Sequence, residues 1–216
     1  MRYFYFLIVL ILFSGCSERE EQKISWDELK KTTTDKKVLV FVGDSLTAGY
    51  QLPKQSAFPY LIGKKLVKSN YITRNTGKSG ATSAYILENL DWYLQEDVRA
   101  VFLCIGANDG LRGKSINSTK ENIEKIIDVC RKKKIVIAMA GIMLPINYGK
   151  EYRAKFYNMY KDIVKSYNVP FMPFLLKDVA GVTSLNLEDG IHPNEKGHEI
   201  ISDNVFNFIM KENLLQ

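Results

Sequence analysis

Apolar and polar positions fall in blocks along the chain, and the blocks carry two different periods. Residues 38–42 and 100–105 are unbroken apolar runs, and shorter strand-like stretches occupy 71–74, 135–139 and 169–174. Continuous runs of β-branched and aromatic residues suit strands covered on both faces. Between them the apolar positions recur at helical spacing. Phe58, Leu61, Ile62 and Leu66 mark a helix over 57–67 with Pro59 tolerated in its first turn, and Ile86, Leu87, Leu90 and Leu94 mark one over 82–94. Ile123, Ile126, Ile127 and Cys130 follow a capping-box signal at 118–121. Two more helices are expected over 151–166 and after Pro193, the last with Ile200, Ile201, Val205, Phe206 and Ile209 as its stripe. Five strands alternating with helices predict one α/β domain of three layers, α/β/α, around a five-stranded, mostly parallel sheet with right-handed crossovers. In the flavodoxin-like order 2-1-3-4-5 the switch point, where ligands bind, lies between strands one and three.

Those two strands end in polar turns that would face one crevice. The first stops at Gly43-Asp44-Ser45-Leu46, where Gly43 lets the backbone bend and Ser45 sits at the strand's carboxyl end; the third stops at Gly106-Ala107-Asn108-Asp109-Gly110. A serine on such a turn is placed like a nucleophile, although strands also end in Gly, Asp and Ser for turn chemistry alone, and the spacing is not that of the G-x-S-x-G elbow. The chain has two histidines, and one lies in Asp189-Gly190-Ile191-His192-Pro193 just before the last helix. A carboxylate three residues ahead of a histidine can orient it to take a proton from a serine; the same loop also reads as a plain surface turn. His198, six residues on, is expected to point away from His192 and to be exposed on the helix. The two histidines fit no common zinc spacing, so no metal is expected. Gly77-Lys78-Ser79 resembles the end of a phosphate-binding loop, but the glycine required five positions earlier is Ile72. Asp44 and Asp109 are read as carboxyls that fix their own loops.

The N-terminus changes the picture of where this domain works. Arg2 precedes an apolar run over residues 3–13 that is too short for a mature bilayer span and reads as a secretory signal. Phe13-Ser14-Gly15-Cys16 is similar to a bacterial lipobox, departing from it at Phe13, and Cys16 would be the lipidated first residue of the mature chain. An ordinary cleaved signal and an uncleaved anchor are the alternatives. Residues 1–15 are thus expected to be a lipoprotein signal peptide, 16–37 a polar tether and 38–216 the folded domain, held at a membrane on its extracytoplasmic side, periplasmic or cell-surface.

At 216 residues, 46% hydrophobic and 25% charged, the chain has room for one domain with a substantial core. Loss of residues 1–15 removes Arg2 and no acid, so the formal charge goes from +6 to +5. The one dense basic cluster, Arg131 to Lys134, falls where a helix ends and suits the macrodipole, so nucleic acid is not an expected partner. With Cys16 assigned to lipid, Cys104 and Cys130 remain; an extracytoplasmic address would permit a disulfide, but nothing in their spacing fixes its geometry, and two buried thiols are expected.

Gly43-Asp44-Ser45-Leu46, Gly80 within Lys78-Ser79-Gly80-Ala81-Thr82, Gly106-Ala107-Asn108-Asp109 and Asp189-Gly190-Ile191-His192-Pro193 stand in the order of the four blocks of the SGNH (GDSL) hydrolases. The chain resembles that family over residues 38–208, and most closely its bacterial thioesterase I, lysophospholipase L1 and arylesterase branch, which Gly49-Tyr50, residues 108–113 and residues 144–149 also resemble. The resemblance implies Ser45 as nucleophile, His192 as general base and then acid, and Asp189 as the group orienting His192. It implies an oxyanion hole made by the backbone N–H groups of Ser45 and Gly80 and the side-chain amide of Asn108, with no metal or organic cofactor. Its substrates would be short or medium acyl esters, thioesters or lysophospholipids. Leu111, Pro145, Ile146 and Ile191 either line an acyl groove or are ordinary loop packing. The departure is Ala81, where relatives often carry an acid. The rival readings are a deacetylase of a cell-surface glycan, a non-catalytic binding lipoprotein of the same fold and a flavodoxin-like nucleotide binder; the chain is expected to be a monomer.

Overall fold

The computed structural model describes residues 36–215. The lipobox cysteine Cys16 and nearly all of the expected tether lie outside the described residues. Five parallel strands run β1 (Lys37–Gly43), β2 (Tyr71–Asn75), β3 (Val98–Cys104), β4 (Val136–Ala140) and β5 (Phe171–Met172). They form one sheet in the order β2-β1-β3-β4-β5, the expected flavodoxin-like order, with every pairing parallel.

Alternation along the central strands builds two cores, one on each face. Val38, Val40 and Val42 of β1 join Val101 and Leu103 of β3 on one face. There they pack on α3 (Ser83–Glu88), α4 (Leu90–Tyr93), α6 (Ile116–Lys132) and α7 (Lys150–Tyr167), through Ile86, Leu90, Ile123 and Phe156 among others. Leu39, Phe41, Phe102 and Cys104 point the other way. They meet α2 (Phe58–Lys65) and α8 (Glu195–Lys211) through Phe58, Ile62, Ile201, Val205 and Ile209. The two short helices α1 (Ser45–Ala48) and α5 (Ala107–Leu111) follow β1 and β3 directly. Both cysteines are buried and free, Cys104 in one core and Cys130 in the other, so the sheet separates them.

Two helix boundaries differ from the sequence pattern, each for a side-chain reason, and one strand is shorter than expected. The expected helix over 82–94 breaks at Asn89, whose amide donates to the Tyr85 carbonyl at 2.8 Å and closes α3. Helix α6 starts before the capping-box signal because Ser115 is the cap, accepting from the Ser118 N–H. Thr119 lies inside the helix instead. On the edge of the sheet, β5 is two residues long, pairing with β4 with Phe171 opposite Met139 and Met172 opposite Ala140.

The basic residues at the C-terminal end of α6 are structural or solvated. Arg131 donates to the Tyr167 carbonyl and lies over that ring, and Lys133 pairs with Asp91.

Candidate active site

Strands β1 and β3 end level with each other, Gly43 opposite Cys104, so their turns open onto the same crevice. Gly43 is required there by close approach: a Cβ would sit 2.2 Å from Thr47 Oγ1 and 2.5 Å from the Cys104 carbonyl oxygen. The following four-residue helix is capped by Asp44, whose Oδ1 accepts from the Leu46 N–H, and ends at left-handed Gly49. Ser45 is its first residue, half-buried. At that position the backbone N–H has no intrahelical acceptor and points outward from the helix end.

His192 reaches the same place from a tight loop. The Leu187 N–H donates to the His192 carbonyl, Asn186 and Pro193 form an antiparallel bridge, and Gly190 takes a left-handed conformation at φ 71°. Asp189 does two things inside this loop. Its Oδ1 accepts from the N–H groups of Ile191 and His192, each at 3.0 Å, and its Oδ2 lies 2.7 Å from His192 Nδ1. His192 Nε2 then lies 2.9 Å from Ser45 Oγ. With the proton on Nδ1, Nε2 is left as the acceptor for the serine hydroxyl. Burial raises the Asp189 carboxyl, but the hydrogen bond with the His192 ring, the two N–H donors and the imidazole charge outweigh it and hold it below its ordinary value. The Tyr50 ring lies against His192 at 4.5 Å between centroids and braces the imidazole from one side.

Besides Ser45, the other two expected oxyanion donors come from two segments that are tied together. Gly80 sits at φ 79°, which favours glycine, and a Cβ there would come within 3.4 Å of Arg112 Nη2. Asn108, in α5, donates from Nδ2 to the Ala81 carbonyl at 3.0 Å and accepts at Oδ1 from Arg112 Nη2 at 3.3 Å. An acceptor on one side and a donor on the other fix which way this amide faces, so its nitrogen, with a second N–H, lies on the Gly80 loop side. Asp109 clamps the same two loops. Its Oδ2 accepts from the Ser83 N–H at 2.9 Å and its Oδ1 from Ser83 Oγ at 2.7 Å and Thr119 Oγ1 at 3.4 Å, while Asn122 donates to Ser83 Oγ. Ala81, the departure from the family pattern, is buried in the apolar core beside this clamp.

The four expected substrate-groove residues differ in exposure. Leu111 packs against the core, Pro145 is half-buried, and Ile146 and Ile191 are exposed, Ile146 at 82%. No group of His, Cys, Asp and Glu suited to a metal ion occurs among the described residues.

The GDSL-like lipase/acylhydrolase family profile matches residues 41–200. The chain belongs to this family. Thioesterase 1/protease 1/lysophospholipase L1 of Escherichia coli K12 is 33% identical over 166 residues, which cover 76% of this chain and 79% of that protein. The arylesterase of Vibrio mimicus is 32% identical over 176 residues, 80% of this chain and 88% of that protein. Among solved structures, the psychrotrophic esterase EstA of a Pseudoalteromonas species, inhibited by monoethylphosphonate, superposes with a TM-score of 0.78. Its identity is 30%, over 82% of this chain and 98% of EstA. As a GDSL family member the protein is a carboxylic ester hydrolase.

One expectation within the GDSL domain is overturned. His198 is not a solvent-exposed helix residue: it is 1% exposed, accepts at Nδ1 from the Phe58 N–H at 3.2 Å and stacks on the Phe58 ring. Burial, reinforced by the charge of His192, pushes its pKa down from 6.5 to about 4. The signal was present in the sequence, because His198 shares the helical stripe of Ile201, Val205 and Ile209. Sequence reasoning also gave no role to Arg112, Ser83 or Tyr50. Only Tyr50 carried a local hint, since Gly49 in the left-handed conformation lets both the Gly49 and Tyr50 N–H groups turn back to the Ser45 carbonyl.

Proposed function

We propose that the protein is a serine esterase that cleaves carboxylic esters through an acyl-enzyme on Ser45. The observation that carries this reading is the chain from Ser45 Oγ through His192 to Asp189, with contacts of 2.9 and 2.7 Å, at the edge of a crevice that also holds Asn108. In the first half-reaction Ser45 Oγ attacks the acyl carbon and its proton passes to His192 Nε2. The oxygen that becomes negative is met by the N–H groups of Ser45 and Gly80 and the Asn108 amide. Collapse of the intermediate breaks the ester bond, and His192 gives its proton to the departing alkoxide or thiolate. In the second half, water loses a proton to Nε2 and attacks the acyl carbon, releasing the carboxylic acid and restoring the Ser45 hydroxyl. Asp189, held ionised by its hydrogen bonds, keeps the imidazole aligned and stabilises its protonated form.

Thioesters, lysophospholipids and aryl esters as substrates are supported by the names of the relatives, and we assign them short or medium acyl chains. Leu111, Pro145, Ile146 and Ile191 are the apolar side chains from the loops after β3 and β4 and beside His192 that we assign to the acyl chain. The lipobox-like Cys16 supports a lipid-anchored, extracytoplasmic enzyme, and that address favours lipid or other extracytoplasmic esters over acyl-CoA. Hydrolysis of p-nitrophenyl butyrate tests the chemistry. The wild type is expected to turn over and Ser45→Ala to fall to background, whereas full activity in Ser45→Ala would refute the nucleophile.

A further inference from the structure

A second concavity opens beyond the loop that follows β2. It holds about 390 Å³ and is walled by Asn75, Lys78, Tyr85, Asn89, Trp92 and Tyr93. None of Ser45, Asp189, His192, Gly80 or Asn108 lines it. Its floor is rigid. Thr76 donates to the Phe41 carbonyl from both N–H and hydroxyl, Lys78 N–H donates to the Gly43 carbonyl, and the Asn75 amide donates to the Thr47 carbonyl. Gly77 lies so close to α1 that a Cβ would stand 2.2 Å from the Ala48 nitrogen. The opposite wall exists because α3 and α4 break at Asn89, which sets Tyr85, Asn89, Trp92 and Tyr93 around one space. Trp92 is 67% exposed and Tyr85 37%, while Trp92 meets the buried Tyr93 edge-on at 5.3 Å.

The lining selects a ligand class. The Asn75 and Asn89 amides each give one N–H to a backbone carbonyl, and a purely apolar ligand would cover their remaining polar capacity and the Lys78 ammonium without pairing them. A polyanion needs several cations, and Lys78 is the one basic residue here. A neutral ring bearing many hydroxyls satisfies both kinds of wall: its C–H face packs on an aromatic ring, and its hydroxyls donate to and accept from amides. We propose that this cavity binds a saccharide. Binding here needs no turnover, so it stands apart from the esterase reading. The two are nevertheless linked along the chain, because residues Asn75 to Lys78 form the cavity floor and Gly80, an expected oxyanion donor, follows directly after Ser79.

Saturation-transfer NMR on the full chain tests this, with triacetylchitotriose and maltotriose as probes up to about 10 mM, beyond the weak end of ordinary affinities. Saturable transfer to at least one probe is expected. Affinity should fall about tenfold in Trp92→Ala and in Tyr85→Ala, as for loss of an aromatic anchor, with p-nitrophenyl butyrate hydrolysis within about twofold of wild type. Both side chains are exposed, so neither substitution opens a core cavity. Absence of saturable transfer to either probe would overturn the proposal, and so would transfer unchanged in both variants. A protein that binds but does not hydrolyse would refute the esterase reading and leave this one intact.

Discussion

The turns after β1 and β3 leave adjacent strands at the same level, and each buries an aspartate, yet the two carboxyls are treated differently. Asp109 has both oxygens engaged, by Ser83 N–H, Ser83 Oγ and Thr119 Oγ1, and so locks its turn to the Gly80 loop. Asp44 uses Oδ1 to cap α1, while its Oδ2, like the nearby Thr47 Oγ1, is buried with no partner among the described residues. Burial therefore lifts the Asp44 pKa from 3.8 to about 6, against the pull of the Leu46 N–H and of His192. One turn holds an amide still; the other holds an under-satisfied carboxyl directly before the serine. Stability is given up next to Ser45 and restored next to Asn108, as expected where local rules yield to a site.

That contrast breaks hardest at Asn108. Asn108→Ala should lower kcat about 100-fold or more, roughly 3 kcal/mol of transition-state stabilisation, with little change in KM. Steady-state kinetics on p-nitrophenyl butyrate read this directly, and a kcat within about threefold of wild type would remove Asn108 from the hole. On the stability side, Asp109→Asn puts an amide N–H where Ser83 offers a donor. It should cost about 1–3 kcal/mol in denaturant unfolding and reduce kcat as the clamp loosens.

The reverse sign is expected at Asp44. Its raised pKa means that the folded state binds the extra proton between pH 3.8 and 6, so this group costs stability above pH 6 and the cost is relieved as the pH falls through that window. Asp44→Asn keeps an acceptor for Leu46 and removes the buried charge. Unfolding at pH 8 should show it more stable by about 2 kcal/mol, an advantage that shrinks toward pH 4. His198 titrates with the opposite sense. Its pKa, depressed from 6.5 to about 4, contributes stability that is complete above 6.5 and is lost as the pH falls toward 4. His198→Asn should therefore flatten the acid limb of a Tm-versus-pH curve. The smallest effect belongs to Arg112: Arg112→Leu frees the Asn108 amide to flip and should lower kcat about threefold to tenfold at constant KM.

Much of this arrangement was legible in the sequence, and its limits have physical causes. The runs at 38–42 and 100–105 could be read as central strands because burial on both faces leaves no polar position to confuse the pattern. The pairing of Ser45 with the Asp189–His192 loop was legible too, since that loop returns the chain to the edge of the crevice just before the last helix. Periodicity could not show the break at Asn89, which depends on one amide choosing a local carbonyl over continued helix. Nor could it show that Asp109 is fully bonded and Asp44 is not, because Ser83 on α3 and Thr119 and Asn122 on α6 meet only in the folded chain. His198 was misjudged from its six-residue offset from His192, although its position on the apolar stripe already placed it inward.

The most direct test of the central claim is to trap the covalent intermediate. The protein would be incubated with a phosphonate ester, the inhibitor class that acts on EstA, then digested and the labelled peptide sequenced by mass spectrometry. One adduct per chain is expected, on Ser45 Oγ, appearing in step with loss of esterase activity, and none in Ser45→Ala. An adduct on another residue that tracks inactivation, or complete inactivation with Ser45 unmodified, would contradict it.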